Sequence, residues 1–346
     1  MKTEMPYRFL GNTGLKVSAF SFGNWANSVI DKPGWSQELT TIVNRAIQLG
    51  INSFDTAEYY GYGLGETQFG HAFAQLSCPR KDIVVTTKFM WGGHGVNDTR
   101  LSIKHLNEAC TLSLQRLKLD YVDVVYAHRY DPNTPMEEIC RGFNRIIDNG
   151  CAFYWGTSKW TPMQIVQAYK CCEKYDLIKP VVEQPEYNLL VRENVEKTLV
   201  PLYDEYKLGT TVWSPLAGGI LTGKYISGDP EQSRFTGDKY KKDMIDLYRN
   251  KYKAQEEKTK GLVEYSKEIK YSPAQICLAW VLKNNDVSSC ILGCSNVKQL
   301  EENIRSLELY KIWSPKIEER VNSIFNNTPM LTKACEYRRQ SSVKYT

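Results

Sequence analysis

Three short β-type runs in this sequence end in residues that can hold or move a proton. The first ends in Phe54-Asp55-Thr56-Ala57-Glu58-Tyr59-Tyr60, the second in Thr86-Thr87-Lys88 and the third in Tyr126-Ala127-His128. An Asp, a Tyr, a Lys and a His brought to one place could protonate a carbonyl oxygen while hydride arrives at its carbon. A phenol ionises only near pH 10, too high for easy general-acid work at neutral pH. A neighbouring lysine ammonium favours the phenolate and lowers that pKa, and an aspartate can hold and orient the ammonium. The histidine can donate a hydrogen bond to the carbonyl oxygen or share the proton. Each residue alone has an ordinary structural explanation; four suitable types at three consecutive strand ends are harder to dismiss.

Such residues meet only if the strand ends converge, and the pattern of elements predicts that they do. A hairpin opens the chain, with Tyr7-Arg-Phe-Leu, a turn at Gly11-Asn-Thr-Gly14 and then Leu15-Lys-Val-Ser. Candidate strands follow at Ala19–Phe22, Asn52–Phe54, Ile83–Thr87, Val122–Ala127, Ala152–Trp155, Val181–Glu183, Thr210–Trp213 and Ser289–Leu292. Several, such as Ile83-Val-Val-Thr-Thr87, are bulky and β-branched on both faces, as suits a strand buried on both sides. Helical patterns alternate with them. In Ser36–Gln48 the residues Leu39, Ile42, Val43, Ala46 and Ile47 form one stripe, and Leu106, Ala109, Cys110, Ser113 and Leu114 do so in Ile103–Leu117. Gly50 and Gly150 mark helix stops. Eight βα units without a composition break predict a (β/α)8 TIM barrel, whose strand ends open on one mouth. A doubly wound open sheet is the alternative; the count of eight and the lack of a dinucleotide fingerprint after the first strand weigh against it. The longest interruption, Pro215 to about Asn250, follows strand seven on the mouth side and reads as a lid over a ligand.

Length and composition bound the rest. The chain has 346 residues, 42% hydrophobic and 24% charged, with 23 Gly and 14 Pro. That excludes a collagenous, low-complexity or disordered chain. Its 44 Lys+Arg and 39 Asp+Glu give a net charge of +5 spread along the sequence, without the basic stripe of a nucleic-acid binder. Only the tail, with Lys333, Arg338, Arg339 and Lys344, is locally basic, so residues 1–330 are taken as one barrel domain and 331–346 as a solvated tail. No apolar run approaches the ~20 residues of a membrane span and the N-terminus lacks a signal peptide, so the expectation is a cytoplasmic protein without direct membrane insertion. The ten cysteines are then read as reduced thiols, and the lack of CxxC or HExxH gives no metal site.

Two glycine-rich stretches imitate phosphate motifs. Gly218-Gly-Ile-Leu-Thr-Gly-Lys224 has the spacing of a Walker A loop, but Tyr225 stands where Ser or Thr should ligate Mg²⁺. Gly61-Tyr-Gly-Leu-Gly65 lacks the dinucleotide spacing and reads as a turn before a helix starting near Glu66.

From about Tyr7 to Asn326 the sequence resembles the aldo-keto reductases, and within them it is most similar to the cytoplasmic beta subunits of voltage-gated potassium channels. The resemblance is carried by Asn52-Ser-Phe-Asp-Thr-Ala-Glu-Tyr-Tyr60, Pro132-Asn-Thr-Pro-Met-Glu-Glu138, Tyr154-Trp-Gly-Thr-Ser-Lys-Trp160, Trp213-Ser-Pro-Leu216, Gly223-Lys-Tyr225 and Leu292-Gly-Cys-Ser-Asn296. It implies Asp55, Tyr60, Lys88 and His128 as a catalytic tetrad, with Tyr60 the general acid. It also implies an NADPH cradle: Asn24 and Trp25 after strand one, and Ser158, Lys159 and Gln184 at the nicotinamide with Tyr187 stacking close by. Trp213, Ser214, Leu216 and Gly218 would line the pyrophosphate. Lys224, Arg234, Ser295 and Gln299 would meet the adenosine 2′-phosphate, and Glu302 and Asn303 the adenine. Cations, hydroxyls and a helix N-terminus suit a phosphate on chemical grounds alone.

The sequence departs from the channel-subunit pattern at several points. His128 stands where that subgroup commonly carries Asn, Lys159 replaces Arg, and Asn24-Trp-Ala-Asn-Ser-Val-Ile lacks the usual Gly-Thr-Trp opening. The barrel is also expected to begin almost at the first residue, without a segment able to plug a pore. Two functions follow as expectations. One is NADPH-dependent reduction of a small carbonyl substrate, its pocket lined by aromatics such as Trp25, Tyr59 and Trp91. The other is a cofactor-binding regulatory or scaffold subunit of a potassium channel or other large assembly, with slow turnover. The resemblance implies a homotetramer for either.

Overall fold

The computed structural model describes residues 4–28, 34–226 and 250–331. An antiparallel hairpin of β1 (Tyr7–Phe9) and β2 (Lys16–Ser18) precedes eight parallel strands: β3 (Phe20–Gly23), β4 (Ser53–Asp55), β5 (Val84–Phe89), β6 (Val124–Ala127), β7 (Tyr154–Thr157), β8 (Val182–Glu183), β9 (Gly209–Val212) and β10 (Ser289–Leu292). They close in the order β10-β3-β4-β5-β6-β7-β8-β9, so the expected barrel forms and the open sheet does not.

Helices cover the outside. They are α1 (Trp35–Gln48), α2 (Leu64–Phe73), α3 (Ile103–Leu117), α4 (Met136–Asp148), α5 (Pro162–Tyr175), α6 (Val200–Tyr206), α7 (Glu256–Ile269), α8 (Pro273–Lys283), α9 (Val297–Ile304), α10 (Ser306–Lys311) and α11 (Pro315–Phe325). The predicted stripes face inward: Leu39, Ile42, Val43 and Ala46 of α1 are buried, as are Leu106, Ala109, Cys110 and Ser113 of α3, while Ile47 and Leu114 pack at the margin. The glycine-rich turn after β4 passes into α2 at Leu64. The basic tail from residue 332, and residues 227–249 of the expected lid, lie outside the described residues.

Alternation along the strands decides what fills the barrel. In β5, Val85, Thr87 and Phe89 point out toward the helices, and Val84, Thr86 and Lys88 point in. A lower layer of Val84, Val124 and Val182 packs on Leu10 and Val17 of the hairpin, which closes the N-terminal end. Above it lies a polar middle layer, where Tyr126 and Thr211 hydroxyls lie 3.1 Å apart and those of Ser21 and Ser289 2.5 Å apart. A Cβ at Gly156 would strike Val182 at 2.5 Å and come within 3.0 Å of the Tyr126 ring, so the absence of a side chain there leaves room for that ring. The uppermost inward layer holds Asp55, Lys88 and Gln184. Lys88 belongs to β5 itself, which ends at Phe89, two residues beyond the expected strand end.

The hairpin plug depends on close backbone approach. Gly11 has φ +58, and a Cβ there would lie 2.5 Å from Gly209 N and 2.6 Å from Val181 O, at the foot of the barrel. Gly14, three residues on in the same turn, faces open space. Gly11→Ala is therefore expected to lower unfolding stability by about 1–3 kcal/mol. Gly14→Ala should remain within roughly 0.5 kcal/mol of the parent. Urea titration of the two variants checks the contrast; equal losses would mean that the plug is not seated as described.

Candidate active site

At the mouth, the buried Lys88 ammonium places each of its donors. Nζ lies 2.6 Å from Asp55 Oδ2, 2.6 Å from Thr56 O and 3.1 Å from the Tyr60 hydroxyl. The other Asp55 oxygen accepts from Thr86 Oγ1 at 2.7 Å and from Gln184 Nε2 at 3.0 Å, which links β4 to β8 across the barrel. Tyr60 sits on the loop after β4, and that loop is held from two sides. The Glu58 carboxylate accepts from Met90 N at 2.5 Å and lies 3.2 Å from His105 Nε2. Gly61, with φ +59, approaches Ser28 O so closely that a Cβ would come within 2.3 Å. His128 follows β6, its backbone N–H donating to Phe89 O at 3.1 Å, and its ring centroid is 5.9 Å from that of Tyr60. Asp55, Tyr60, Lys88 and His128 thus converge on one mouth.

Burial and charge set the protonation states. Burial drives the Tyr60 phenol up; Lys88 pulls it down and Asp55 raises it, with a net pKa above the ordinary tyrosine value. Lys88 acts in the expected direction, but burial outweighs it, so the depressed pKa expected from sequence is not found. Burial by itself favours neutral Lys88, and Asp55 and Tyr60 reverse this, leaving its pKa above the usual lysine value. His128 is the opposite case. Burial, then Lys88, Arg129 and Lys159, hold it well below the ordinary histidine value. Its Nδ1 is buried without a hydrogen-bond partner among the described residues, which favours the tautomer carrying the proton on Nε2. At neutral pH the site holds a protonated phenol, a charged ammonium and a neutral imidazole.

With the buried Lys88 behind them, Asp55, Tyr60 and His128 open into a cavity of about 480 Å³. Its wall includes Trp25, Tyr59, Tyr60, Trp91, His128, Ser158, Lys159, Gln184, Trp213, Ser214, Leu216, Gly218 and Asn303. The aromatic residues expected at a substrate pocket are thus present: Trp91 stands 5.1 Å from the His128 ring and 5.5 Å from that of Tyr59. Beyond Trp213 the chain turns sharply, with Gly218 at φ 67 and Gly219 at φ 99, and Gly218 N–H donates to Ser214 Oγ at 3.1 Å. A Cβ on Gly219 would lie 3.2 Å from Lys224 Cε, which sets that cation beside the turn. Lys159 Nζ lies 4.2 Å from the Trp213 ring centroid. Backbone amides, small residues and two lysines form a donor set that fits an anionic, phosphate-bearing cofactor.

Other candidates fall outside the wall. Asn24 is buried behind it, donating to Gly65 O at 2.7 Å. Ser295 and Gln299 engage each other at 3.0 Å at the start of α9, and Glu302 follows on that helix. Tyr187 is buried, with its ring 4.9 Å from Trp280 and its hydroxyl donating to Glu196 Oε1, so it presents no face for stacking in the cavity. Arg234 lies outside the described residues.

The aldo/keto reductase family model matches residues 20–319. The chain belongs to that family. It is 44% identical over 339 residues, 97% of each chain, to a Schizosaccharomyces pombe protein provisionally named a voltage-gated potassium channel subunit beta. Proteins of Oryza sativa subsp. japonica and Arabidopsis thaliana with the same provisional name are 41% identical over 337 and 332 residues. They cover 95% and 94% of this chain and 99% and 98% of their own length.

Three charged residues of this aldo/keto reductase escaped the sequence reading. Arg129, next to His128, lines the cavity, as do Glu186 and Lys251, which pair at 2.8 Å. The Tyr252 hydroxyl donates to the same carboxylate at 2.6 Å. Only the adjacency of Arg129 to His128 left any trace in the sequence; the Glu186–Lys251 pair joins segments 65 residues apart.

The depressed His128 pKa yields a stability prediction. The unfolded chain takes up a proton near pH 6.5, whereas the folded site resists it, so stability falls as pH drops through that value. His128→Asn removes the proton uptake. Between pH 6.5 and 5 the parent should lose stability with an extra slope approaching 1.4 kcal/mol per pH unit relative to the variant. Urea midpoints across that range measure it; parallel pH profiles would contradict a neutral buried imidazole.

Proposed function

We propose that this protein reduces small aldehydes or ketones with NADPH, Tyr60 acting as general acid. The observation that carries the reading is the grip of Lys88 on both Asp55 and the Tyr60 hydroxyl at a cavity wall shared with His128. Reduced nicotinamide, when bound, supplies the hydride. The protein's own groups handle the oxygen. Tyr60 donates its proton to the carbonyl oxygen, and the His128 Nε2–H donates a hydrogen bond to the same atom. Lys88 stabilises the phenolate left behind, and Asp55 holds Lys88 in place.

Ser158, Lys159 and Gln184 would hold the nicotinamide end, with Asn24 and Trp25 beside it. Trp213, Ser214, Leu216 and Gly218 would take the pyrophosphate. Lys224, Arg234, Ser295 and Gln299 would meet the 2′-phosphate, and Glu302 and Asn303 the adenine. The turn at Gly218–Gly219 and its neighbour Lys224 favour an anion there.

A second reading is favoured by the names of the relatives, which describe potassium channel beta subunits. On that reading the protein is a homotetrameric cofactor-binding subunit at the cytoplasmic face of a channel, and turnover is slow. No described helix is long and apolar enough to cross a membrane, so such a partner would supply the membrane span. Copurification with a channel would favour this role; a free tetramer that turns over aldehydes would favour the first.

Two measurements test the enzymatic reading. Tyr60→Phe keeps the ring but removes the transferable proton, so stopped-flow oxidation of bound NADPH by an aldehyde panel should fall about 10²- to 10⁴-fold, with cofactor still bound. His128→Asn should fall less, because the amide still donates a hydrogen bond. A parent no faster than Tyr60→Phe with every aldehyde would end the reductase reading. Lys224→Met should weaken NADPH at least tenfold relative to NADH, since a charge-assisted contact contributes about 1.5–3 kcal/mol. Fluorescence titration with both dinucleotides checks this, and an unaltered affinity ratio would remove Lys224 from the 2′-phosphate site.

A further inference from the structure

Among the described residues, four cations stand at or directly beneath the mouth, and they divide into two kinds. Lys88 is paired with Asp55 and Lys251 with Glu186, at 2.6 and 2.8 Å. Arg129 and Lys159 also line the cavity, but neither has a carboxylate within ion-pair distance among the described residues. The Nη1 of Arg129 donates to His128 O and lies 3.5 Å from Ser158 Oγ, and its Cζ is 5.8 Å from the Trp91 ring centroid. The guanidinium is thereby fixed against Trp91 and His128, at the wall where the reacting carbonyl would sit. Two carboxylates in this region are already committed. Glu183 is fully buried behind the wall and takes the Thr157 hydroxyl, while Glu186 takes Lys251 and Tyr252. Burial lowers the pKa of both Arg129 and Lys159, and Arg129 lowers that of Lys159 further. Glu183 attracts Arg129 and Glu186 attracts Lys159 from beyond ion-pair distance, which offsets burial only in part. Partly desolvated like charges without a directly paired carboxylate raise the free energy of the site, and an anion in the cavity relieves it. A planar guanidinium beside an aromatic ring suits a carboxylate better than it suits a neutral oxygen.

We infer that the carbonyl substrate carries a carboxylate, as an oxo acid or a carboxylated aromatic aldehyde does, and that Arg129 recognises it with Lys159 in support. This rests on the proposed reductase activity and narrows its substrate class. The carboxylate takes no part in the chemistry: hydride reaches the carbonyl carbon, the Tyr60 proton reaches its oxygen, and the acid group is unchanged.

The test compares each acid with its own methyl ester, so that shape is nearly matched; the ester group withdraws electrons more strongly than the carboxylate, so any bias in carbonyl reactivity favours the ester. The pairs are 4-carboxybenzaldehyde with methyl 4-formylbenzoate, and 4-oxobutanoate with its methyl ester. With NADPH, the parent should favour at least one acid over its ester at least tenfold in kcat/KM, and added salt should shrink the preference. Arg129→Met should bring that ratio close to one, Arg129→Lys should retain part of it, and Lys159→Met should reduce it less. Thermal melts and NADPH titration establish that each variant is folded and loaded. Equal rates for acids and esters, or faster esters, would overturn the inference and leave the reductase reading intact. An acid preference that survives Arg129→Met would overturn the role given to Arg129. Reduction of none of the four would remove the reductase reading and this inference with it.

Discussion

The mouth of the barrel is organised by one buried ion pair. Lys88 has no exposed surface, and a lone ammonium there would cost several kcal/mol. Its retention requires Asp55 on the neighbouring strand, Thr56 O and the Tyr60 hydroxyl as acceptors. Strand register provides the first of these, because Asp55 is paired with Thr86, the inward residue one step below Lys88. The third depends on the loop that Glu58 and Gly61 hold against the barrel. The pair therefore links β4, β5 and the loop that carries Tyr60, and through Gln184 it reaches β8. Removing Asp55 alone would leave a buried charge without its counter-ion, a larger loss than the pair's own net contribution.

The same pair polarises its neighbours in opposite senses. Tyr60 keeps its proton to higher pH than a free phenol, because burial opposes the phenolate more strongly than Lys88 favours it. His128 loses its proton more readily than a free imidazole, because burial and three nearby cations all oppose the charged form. A carbonyl oxygen in the cavity would meet two neutral donors backed by a fixed positive charge. Charge that develops on that oxygen is stabilised by dipoles already in place, without reorganisation at the moment of reaction.

The fold was legible because period and count agree. Eight β-type runs alternating with helical stripes leave few topologies, and β10 begins and ends where the sequence predicts, at Ser289 and Leu292. Elsewhere the strand limits moved by one or two residues. Lys88 falls inside β5, because alternation carries an inward-facing residue up to the mouth before the strand ends. The convergence of Asp55, Tyr60, Lys88 and His128 was legible for the same reason: three strand ends of a barrel must open together. The sign of the Tyr60 shift was not, since a list of neighbours omits burial. Arg129 was missed because β6 ends at Ala127, and the direction of the next two side chains depends on a loop rather than on a period. Tyr187 was expected at the cavity, but its hydroxyl is taken by the nearby Glu196 and its ring packs on Trp280 of α8, a contact that depends on a helix distant in sequence.

Charge at the mouth is unevenly placed, and that asymmetry bears on both reaction and recognition. On the β4–β5 side, Lys88 is compensated by Asp55, so its field at the Tyr60 oxygen is partly cancelled. On the wall formed where β6 and β7 end, Arg129 and Lys159 have no carboxylate at ion-pair distance among the described residues, and Glu183 and Glu186 act on them only from further off. Their field crosses a partly enclosed, aromatic-lined space in which screening by solvent is weak. It disfavours the imidazolium at His128, which maintains the neutral donor, and it favours negative charge on an oxygen within the cavity. A single pair of cations can thus add to burial and Lys88 in keeping the histidine neutral, stabilise a developing oxyanion and attract an anionic substituent on the substrate. Discharging that wall would weaken all three effects together, while leaving the Lys88–Asp55 pair and the barrel beneath it in place.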